Sequence, residues 1–289
     1  MLTQPRNRAA GELMPHVTVN GARLWYEVRG EGEPILLHHG YTASRVNWMP
    51  VAERLQSRYR VILMECRGTG ESEHTRDGYT LEQYAADVIG VADHVGLEKF
   101  TYAGHSMGGG IGYVLALTYP MRLERLILMA SIPSDGLPGG ATAPEQPTAK
   151  DHDVMLARYR AGRLHPEIET DAWYEDRIRH ITSVSNGHYV GGSKAMRDLH
   201  VSDRLKEITI PTLILSGAAD GLLPANLQDF SRLPNATLHV FSRVGHEVAV
   251  QEPDGVARAI ADFMEHGVVT AKTQQQKLIA AGLAPRPAT

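Results

Sequence analysis

The chain has a single cysteine, Cys66, among its 289 residues. One cysteine cannot form an internal disulfide, and it excludes zinc sites that need two or four cysteine ligands. Residues 1–16 are polar and lack the apolar centre of a signal peptide, and no apolar run approaches the roughly 18 residues that cross a bilayer. These absences predict a cytoplasmic protein without a membrane partner.

An excess of positive charge is also missing. The 29 Lys and Arg residues stand against 33 Asp and Glu residues, which gives a formal net charge of −4, and no basic block recurs along the chain. Binding to a nucleic acid backbone depends on clustered positive charge, so no nucleic acid partner is expected. With 43% hydrophobic residues, the chain is predicted to be one large globular domain, or one domain with an insertion; a homodimer stays open.

Short apolar runs and helical stretches alternate along most of the chain. Two β-rich segments, 16–19 and 22–28, flank Asn20-Gly21, a dipeptide typical of β-hairpin turns. The later apolar runs are continuous, which is typical of parallel strands buried on both faces. Strands are predicted at 35–37, 61–64, 100–103, 126–131, 212–216 and 237–241, and helices at 51–55, 81–95, 107–118 and 253–266. This order predicts an α/β fold with a mostly parallel, doubly wound sheet.

The alternation stops within residues 132–208. A stretch rich in Pro and Gly, 132–147, leads there into polar sequence of helical character. Because a parallel crossover needs only about a dozen residues, and long structureless loops are uncommon within domains, a helical cap inserted after the sixth strand is predicted. The predicted organisation is a core of residues 1–131 and 209–267, a cap of 132–208, and a tail of 268–289 with a short helix.

The clearest chemical motif is Gly104-His105-Ser106-Met107-Gly108, between a predicted strand and a predicted helix. In this context Gly-x-Ser-x-Gly is typical of a sharp turn that holds the serine in a strained conformation and exposes its hydroxyl above the sheet. The neighbouring helix N-terminus favours developing negative charge. The alternative is a glycine-rich turn with a helix-capping serine. We favour a nucleophile at this position.

A serine hydroxyl is a weak nucleophile at neutral pH, so it needs a base, which in turn needs an acid to orient it. Both groups are expected at the ends of later strands. His246 follows the last predicted strand, and Asp220 follows the strand before it. The chain order Ser106, Asp220, His246 is one of the orders in which such triads occur. These three residues are the predicted catalytic residues.

Acyl transfer also needs two backbone N–H groups that point at the developing oxyanion. One comes from the residue after the nucleophile, here Met107, and one from an earlier loop. The segment His38-His39-Gly40-Tyr41 follows the first parallel strand, and Tyr41 is the predicted second donor. Paired histidines also occur in metal sites, but no further ligand pattern accompanies them. No metal and no cofactor is therefore predicted.

Together these motifs resemble those of serine hydrolases of the α/β-hydrolase superfamily, and the resemblance covers nearly the whole chain. The matching parts are the His39-Gly40 loop, segment 65–72, the 104–108 elbow, and Asp220 with His246 in order. Segment 65–72 usually begins with Asp in this family, so Glu65 is a conservative departure. The resemblance points to carboxylesterases, enol-lactonases and cofactor-free perhydrolases. Relatives that attack with Asp are disfavoured because the nucleophile here is Ser.

The resemblance implies cleavage of a small to medium carboxylic ester or lactone through an acyl-enzyme on Ser106. A C–C bond hydrolase or a perhydrolase needs only the same triad. A non-catalytic small-molecule receptor can also keep this fold, and a partner-binding protein would use the tail for docking. The candidate substrate contacts are His39, Tyr159, Trp173 and Tyr174. For most aromatic residues of the cap we favour the alternative that they form its own core, since apolar helical faces usually pack inward.

Overall fold

The computed structural model describes residues 16–139 and 145–283 and shows one predominantly parallel sheet. Its strands are β1 (His16–Val19), β2 (Ala22–Arg29), β3 (Glu33–His38), β4 (Tyr59–Met64), β5 (Phe100–His105), β6 (Leu123–Met129), β7 (Thr212–Gly217) and β8 (Ala236–Phe241). Within the described residues their order is β1-β2-β4-β3-β5-β6-β7-β8. Strand β2 pairs antiparallel with β1 and β4, and the other neighbours are parallel. The predicted α/β fold is confirmed.

Helices cover both faces of the sheet. They are α1 (Met49–Leu55), α2 (Leu81–His94), α3 (Met107–Thr118), α4 (His152–Ala161), α5 (Asp171–Ser183), α6 (Asn186–Arg197), α7 (Leu223–Arg232), α8 (Val248–Gln251), α9 (Pro253–His266) and α10 (Ala271–Ala280). Helices α2 and α3 share one core with Leu36 and Ile62, whereas α1 and α9 share the other with Ile35 and Val61. Successive strand residues point to opposite faces, so the strands must be apolar throughout. In the part of the chain described, no helix is long and apolar enough to cross a bilayer.

The hairpin that opens the sheet has the predicted turn. Asn20 and Gly21 have φ values of 50° and 73°, and two successive positive φ values are typical of a type I′ turn. Val19 pairs with Ala22 directly across it. The Asn-Gly prediction is therefore confirmed.

Helices α4 to α6 lie between β6 and β7, so the helical insertion after the sixth strand is confirmed. A small core in this insertion contains Leu156, Tyr174 and Ile178. Met196 of α6 instead joins the large core beside α2 and α3. Residues 140–144 of the predicted hinge, the N-terminal residues 1–15 and the final residues 284–289 lie outside the described part. The four segment limits stay predictions.

A buried ion pair connects the hairpin, the loop after β4 and α2. Arg67 Nε donates to Asp87 Oδ2 at 2.7 Å, and Arg67 Nη2 donates to Oδ1 at 2.8 Å. The two side chains are 4% and 1% exposed. Asn20 and Gln83 also donate to Oδ1 of this carboxylate. The carboxylate thus satisfies donors from three separate parts of the chain.

Replacing Asp87 with Asn is expected to lower the free energy of unfolding by about 3 to 5 kcal/mol, because Arg67 would keep a buried charge without its counter-charge. Urea unfolding measures the loss. Asp93→Asn on the same helix is the matched control, since Asp93 is 60% exposed in its pair with Arg122, and exposed pairs contribute about 0 to 1 kcal/mol. Equal losses in both variants would contradict the burial argument.

Candidate active site

Ser106 lies at the turn between β5 and α3, with φ of 55° and ψ of −113°. A positive φ is costly for a residue that carries a Cβ. Hydrogen bonds on both sides hold this conformation. The Ser106 N–H donates to the Met129 carbonyl at 2.9 Å, and the Ser106 carbonyl accepts from Gly109 at 2.9 Å and from Ile132 at 3.2 Å. The turn therefore has the sharp, strained geometry that the motif predicts.

Glycine is required in the elbow because backbone segments approach closely there. A Cβ at Gly104 would overlap the carbonyl oxygen of Gly108. A Cβ at Gly108 would lie 2.8 Å from the carbonyl oxygens of residues 38 and 39. The loop after β3 thus packs directly on the elbow at Gly108, whereas a side chain at Gly104 would force apart the two ends of the elbow itself.

The structure places the three predicted catalytic residues within hydrogen-bonding distance of one another. Asp220 follows β7 and His246 follows β8, so both lie at the C-terminal edge of the sheet with Ser106. Nε2 of His246 lies 3.0 Å from Oγ of Ser106, and Nδ1 lies 3.0 Å from Oδ2 of Asp220. With Nδ1–H donating to the carboxylate, Nε2 is left to accept the serine proton.

The electrostatic environment favours an ionised Asp220 beside a basic His246. Burial raises the pKa of Asp220, but the hydrogen bond and charge of His246 outweigh burial, so the net pKa is lowered. Burial lowers the pKa of His246, but Asp220 and the Glu247 carboxylate outweigh it, so the net pKa lies above the usual 6.5. The imidazole is therefore a stronger base than an isolated histidine.

The two predicted oxyanion donors lie in segments next to Ser106. Met107 is the first residue of α3, so its N–H is one of those that have no partner within a helix. Tyr41 follows Gly40, where a Cβ would lie 3.0 Å from the Ser106 Cβ. The Tyr41 hydroxyl points to the cap and donates to the Tyr189 carbonyl at 2.5 Å. The side chain thus contacts the cap, and the oxyanion role of the Tyr41 backbone N–H stays a prediction.

The sequence did not single out several residues that support His246. Nε2 of His105 lies 2.8 Å from the His246 carbonyl oxygen. Burial lowers the pKa of His105 to about 4, so its ring is neutral and donates this hydrogen bond. Glu247 accepts from Asn47 Nδ2 at 2.6 Å, and its Oε1 lies 3.5 Å from Nε of Arg177. These contacts join residues far apart in sequence, so no local pattern could have indicated them.

Arg177 of α5 connects the cap with the loop after β3, at Thr42, and with Glu247 beside His246. Its Nη1 donates to the Thr42 carbonyl at 2.5 Å, and its side chain is 13% exposed. Burial raises the pKa of Glu247, but the charge of Arg177, together with His246 and the hydrogen bond from Asn47, outweighs burial and lowers the net pKa. An ionised pair therefore lies beside His246.

Glu65, the departure from the family pattern, has a structural role. Its Oε1 accepts from Arg45 Nη1 at 2.9 Å, and its Oε2 accepts from the Glu71 N–H at 2.7 Å. Burial raises its pKa, and Arg45 partly offsets the increase. The neighbouring Cys66 is buried with a free thiol. Glu65 therefore orders the loop after β4, and Cys66 is buried within that loop.

His39 does not fit the predicted substrate contact. The residue is completely buried. Its Nδ1 donates to the Gly40 carbonyl at 2.8 Å, and its Nε2 accepts from the Cys66 N–H at 3.1 Å. Both ring nitrogens are therefore used within the protein, and the prediction is corrected: His39 braces the loop after β3 against the loop after β4.

The three aromatic candidates pack on one another in the cap. The Tyr159 and Tyr174 rings stack with centroids 5.1 Å apart, and Trp173 meets Tyr174 edge-on at 5.3 Å. Tyr174 is also buried with Leu156 and Ile178. This packing fits the favoured alternative, the core of the cap. Of the three, only Tyr159 also borders the cluster that reaches the loop after β3, so it alone is kept as a candidate substrate contact.

Comparison with known proteins agrees with this geometry. The family model described as the alpha/beta hydrolase fold matches residues 33–253. The chain belongs to this family, which confirms the resemblance inferred from the motifs.

Individual relatives cover almost the whole chain. A non-heme haloperoxidase of Rhodococcus erythropolis is 29% identical over 274 residues, 87% of this chain and 100% of the relative. A 2-hydroxymuconate semialdehyde hydrolase of Pseudomonas putida is 29% identical over 276 residues, 88% of this chain and 94% of the relative. The solved structure of an N-acyl homoserine lactone degrading enzyme has a TM-score of 0.76 at 25% identity, with 86% of this chain and 100% of the other covered.

Replacing Gly104 with Ala is expected to lower the free energy of unfolding by at least about 1 to 3 kcal/mol, the usual cost of overpacking. The added Cβ overlaps backbone atoms of Gly108, which cannot rotate away as a side chain can. Urea unfolding measures the change. Gly162→Ala is the control, since a Cβ there lies 3.7 Å from its nearest neighbour. Equal stability of the two variants would contradict the packing argument.

The decline of hydrolytic activity at acid pH is expected to report the protonation of His246. Its raised pKa keeps the imidazole protonated to a higher pH than 6.5, and only the neutral form accepts the serine proton. Asp220→Asn removes the charge that raises this pKa, so the decline in kcat/KM should move to lower pH, while kcat falls by orders of magnitude. Profiles of kcat/KM against pH test this prediction. If the decline at acid pH stays at the same pH in Asp220→Asn, it reports the protonation of a group other than His246.

Proposed function

We propose that the protein is a serine hydrolase that cleaves a carboxylic ester or lactone of a small to medium-sized molecule. The observation that carries the proposal is the hydrogen-bonded series Ser106, His246 and Asp220, with both distances 3.0 Å. A serine in a strained elbow, a base with a raised pKa and an ionised acid are the groups that acyl transfer needs. Similar solved structures include a lactone-degrading enzyme and an esterase from Thermogutta terrifontis.

In the first half of the reaction Ser106 Oγ attacks the substrate carbonyl carbon as His246 Nε2 takes the hydroxyl proton. Asp220 stabilises the imidazolium through Nδ1–H. The N–H groups of Met107 and Tyr41 hold the oxyanion. When the tetrahedral intermediate collapses, His246 gives the proton to the departing alkoxide, which leaves as an alcohol, or as the free hydroxyl end of an opened lactone.

In the second half water attacks the acyl-enzyme, and the same groups assist. His246 removes a proton from the water, and the oxyanion forms again at the same two N–H groups. Collapse of this intermediate breaks the ester bond to Ser106, and His246 returns the proton to Oγ. The products are the carboxylic acid and the restored enzyme.

Two other reactions begin at the same residues. The similarity to a 2-hydroxymuconate semialdehyde hydrolase supports a test of C–C bond hydrolysis. The similarity to a non-heme haloperoxidase supports a test of perhydrolysis, in which hydrogen peroxide replaces water as the acyl acceptor. Ester and lactone hydrolysis is the first proposal because it needs only water and the groups named above.

We also propose that the protein works in the cytoplasm on a small-molecule substrate. The free thiol of Cys66 is buried, and disulfides are rare in that reducing compartment. The net charge of −4 gives no support to binding of nucleic acid.

A fluorophosphonate probe, which reacts with activated serines, is expected to label Ser106, as located by mass spectrometry. Turnover of p-nitrophenyl esters or lactones is expected to fall at least about a thousandfold in Ser106→Ala, because the variant lacks the nucleophile. Ser231→Ala, at an exposed serine of α7, is the matched control and should keep the activity. The substrate panel also includes a vinylogous diketone, which tests C–C bond hydrolysis, and an ester with hydrogen peroxide, which tests perhydrolysis.

The outcomes separate the alternatives. A folded wild-type protein without labelling at Ser106 would overturn the serine-hydrolase proposal and favour a receptor. Unchanged ester turnover in His246→Ala would show that the base is wrongly assigned. Faster turnover of the diketone than of every ester and lactone would move the assignment to C–C bond hydrolysis.

A further inference from the structure

The loop between α4 and α5 places a carboxylate of the cap next to the loop that carries His246. Glu169 is only 5% exposed. Its Oε2 accepts from the N–H groups of Leu164 at 2.9 Å and His165 at 2.8 Å, and its Oε1 accepts from Gln251 Nε2 at 2.7 Å. A buried carboxylate is costly unless it is hydrogen-bonded. Gln251 of α8 supplies one of the hydrogen bonds that Glu169 needs.

Gln251 links Glu169 to Gly245, the residue before His246, and we call these hydrogen bonds the Glu169–Gln251–Gly245 series. It is also 5% exposed, and its Oε1 accepts from the Gly245 N–H at 2.6 Å. The amide of Gln251 therefore donates on one side and accepts on the other. Only one of its two orientations suits a carboxylate at Glu169 and an N–H at Gly245. The direction of each hydrogen bond is thus fixed from Glu169 to the Gly245 N–H.

A second contact joins the same cap loop to the same segment. Nε2 of His165 lies 2.8 Å from the Arg243 carbonyl oxygen. Arg243 has φ of 61°, a left-handed conformation that costs energy in a residue with a Cβ. The backbone just before His246 thus depends on the cap at Arg243 and, through Gln251, at Gly245.

We propose that Glu169 of the cap and Gln251 of α8 are positioning residues that together hold His246 at hydrogen-bonding distance from Ser106. Neither residue touches the reacting atoms. Their effect is on the backbone that sets the distance from Nε2 to the serine oxygen, and a misplacement of about 1 Å can cost roughly a hundredfold in rate. The inference rests on the proposed function because its catalytic effect acts through His246.

Exchanging the two side-chain types tests the series. In Glu169→Gln the new amide presents its NH₂ group to Gln251, whose own amide must turn and lose the acceptor for Gly245. In Gln251→Glu two carboxylates meet, and both cannot be ionised at low cost. In the double variant the carboxylate at position 251 accepts from the amide at 169 and from the Gly245 N–H. The reciprocal exchange thus restores every hydrogen bond in the series.

We expect each single variant to lose roughly 10- to 100-fold in kcat on a p-nitrophenyl ester with little change in KM, since substrate contacts are retained. The double variant is expected to recover to within about threefold of wild type, the signature of direct coupling. Exchange of the Gly245 amide hydrogen, followed by NMR, should be faster in both single variants and slow again in the double variant. This readout does not depend on activity.

Asp229→Asn is the control for a general loss of stability. Asp229 is buried and accepts from the Tyr113 hydroxyl and the Ser134 N–H, away from the His246 loop. We expect this variant to unfold more easily while it keeps the wild-type kcat per folded molecule.

A double variant no more active than the singles would overturn the inference, and so would wild-type kcat in the singles or an equal loss of kcat in Asp229→Asn. Unchanged exchange at Gly245 in the singles would overturn it as well. Wild-type protein without hydrolysis or Ser106 labelling would overturn the proposed function instead, and the Gly245 exchange rates would still decide whether the series exists.

Discussion

The close backbone packing around Ser106 is the constraint on which the rest of the site depends. A non-glycine residue at φ of 55° costs of order 1 to 3 kcal/mol and persists only where its surroundings hold it. Here the surroundings are the middle of the sheet: β6 accepts the serine N–H at Met129, and Ile132 donates to the serine carbonyl. Gly104 and Gly108 let the backbone segments come close enough. Ser106, the proposed nucleophile, therefore lies in a turn that backbone contacts hold from several sides.

His246, the proposed base, is held less firmly by the sheet than Ser106 is. Ser106 follows β5 in the middle of the sheet, Asp220 follows β7, and His246 follows β8, which lies at the end of the strand order. An edge strand has a neighbour on one side only, so the loop after it gains less support from the sheet. Side chains from elsewhere supply that support. His105 donates to the His246 carbonyl, and Asn47 holds the adjacent carboxylate.

Local signals predicted most of the fold and singled out Ser106, Asp220 and His246, which the structure brings together, while contacts between other distant residues escaped prediction. Helices α3 and α9 span the predicted residues, since their limits coincide with the elbow and a proline. Strand β6 begins at Leu123, earlier than predicted, because the polar Glu124 and Arg125 separate Leu123 from the apolar run that begins at Leu126. His39 was misjudged because nothing local shows that Cys66 donates to its ring. The pairing of Asn47 with Glu247 spans 200 residues, and only the folded chain creates it.

The charges around His246 show why the acidic Glu247 is tolerated next to the proposed base. Glu247 raises the pKa of His246, as Asp220 does, whereas Arg177 lowers it. A lone carboxylate at Glu247 would favour the imidazolium and leave less neutral imidazole to accept the serine proton. Because Arg177 pairs with Glu247, the carboxylate can anchor the loop through Asn47 while part of its effect on the base is cancelled. The cap thus contributes to the electrostatics of the site as well as to its walls.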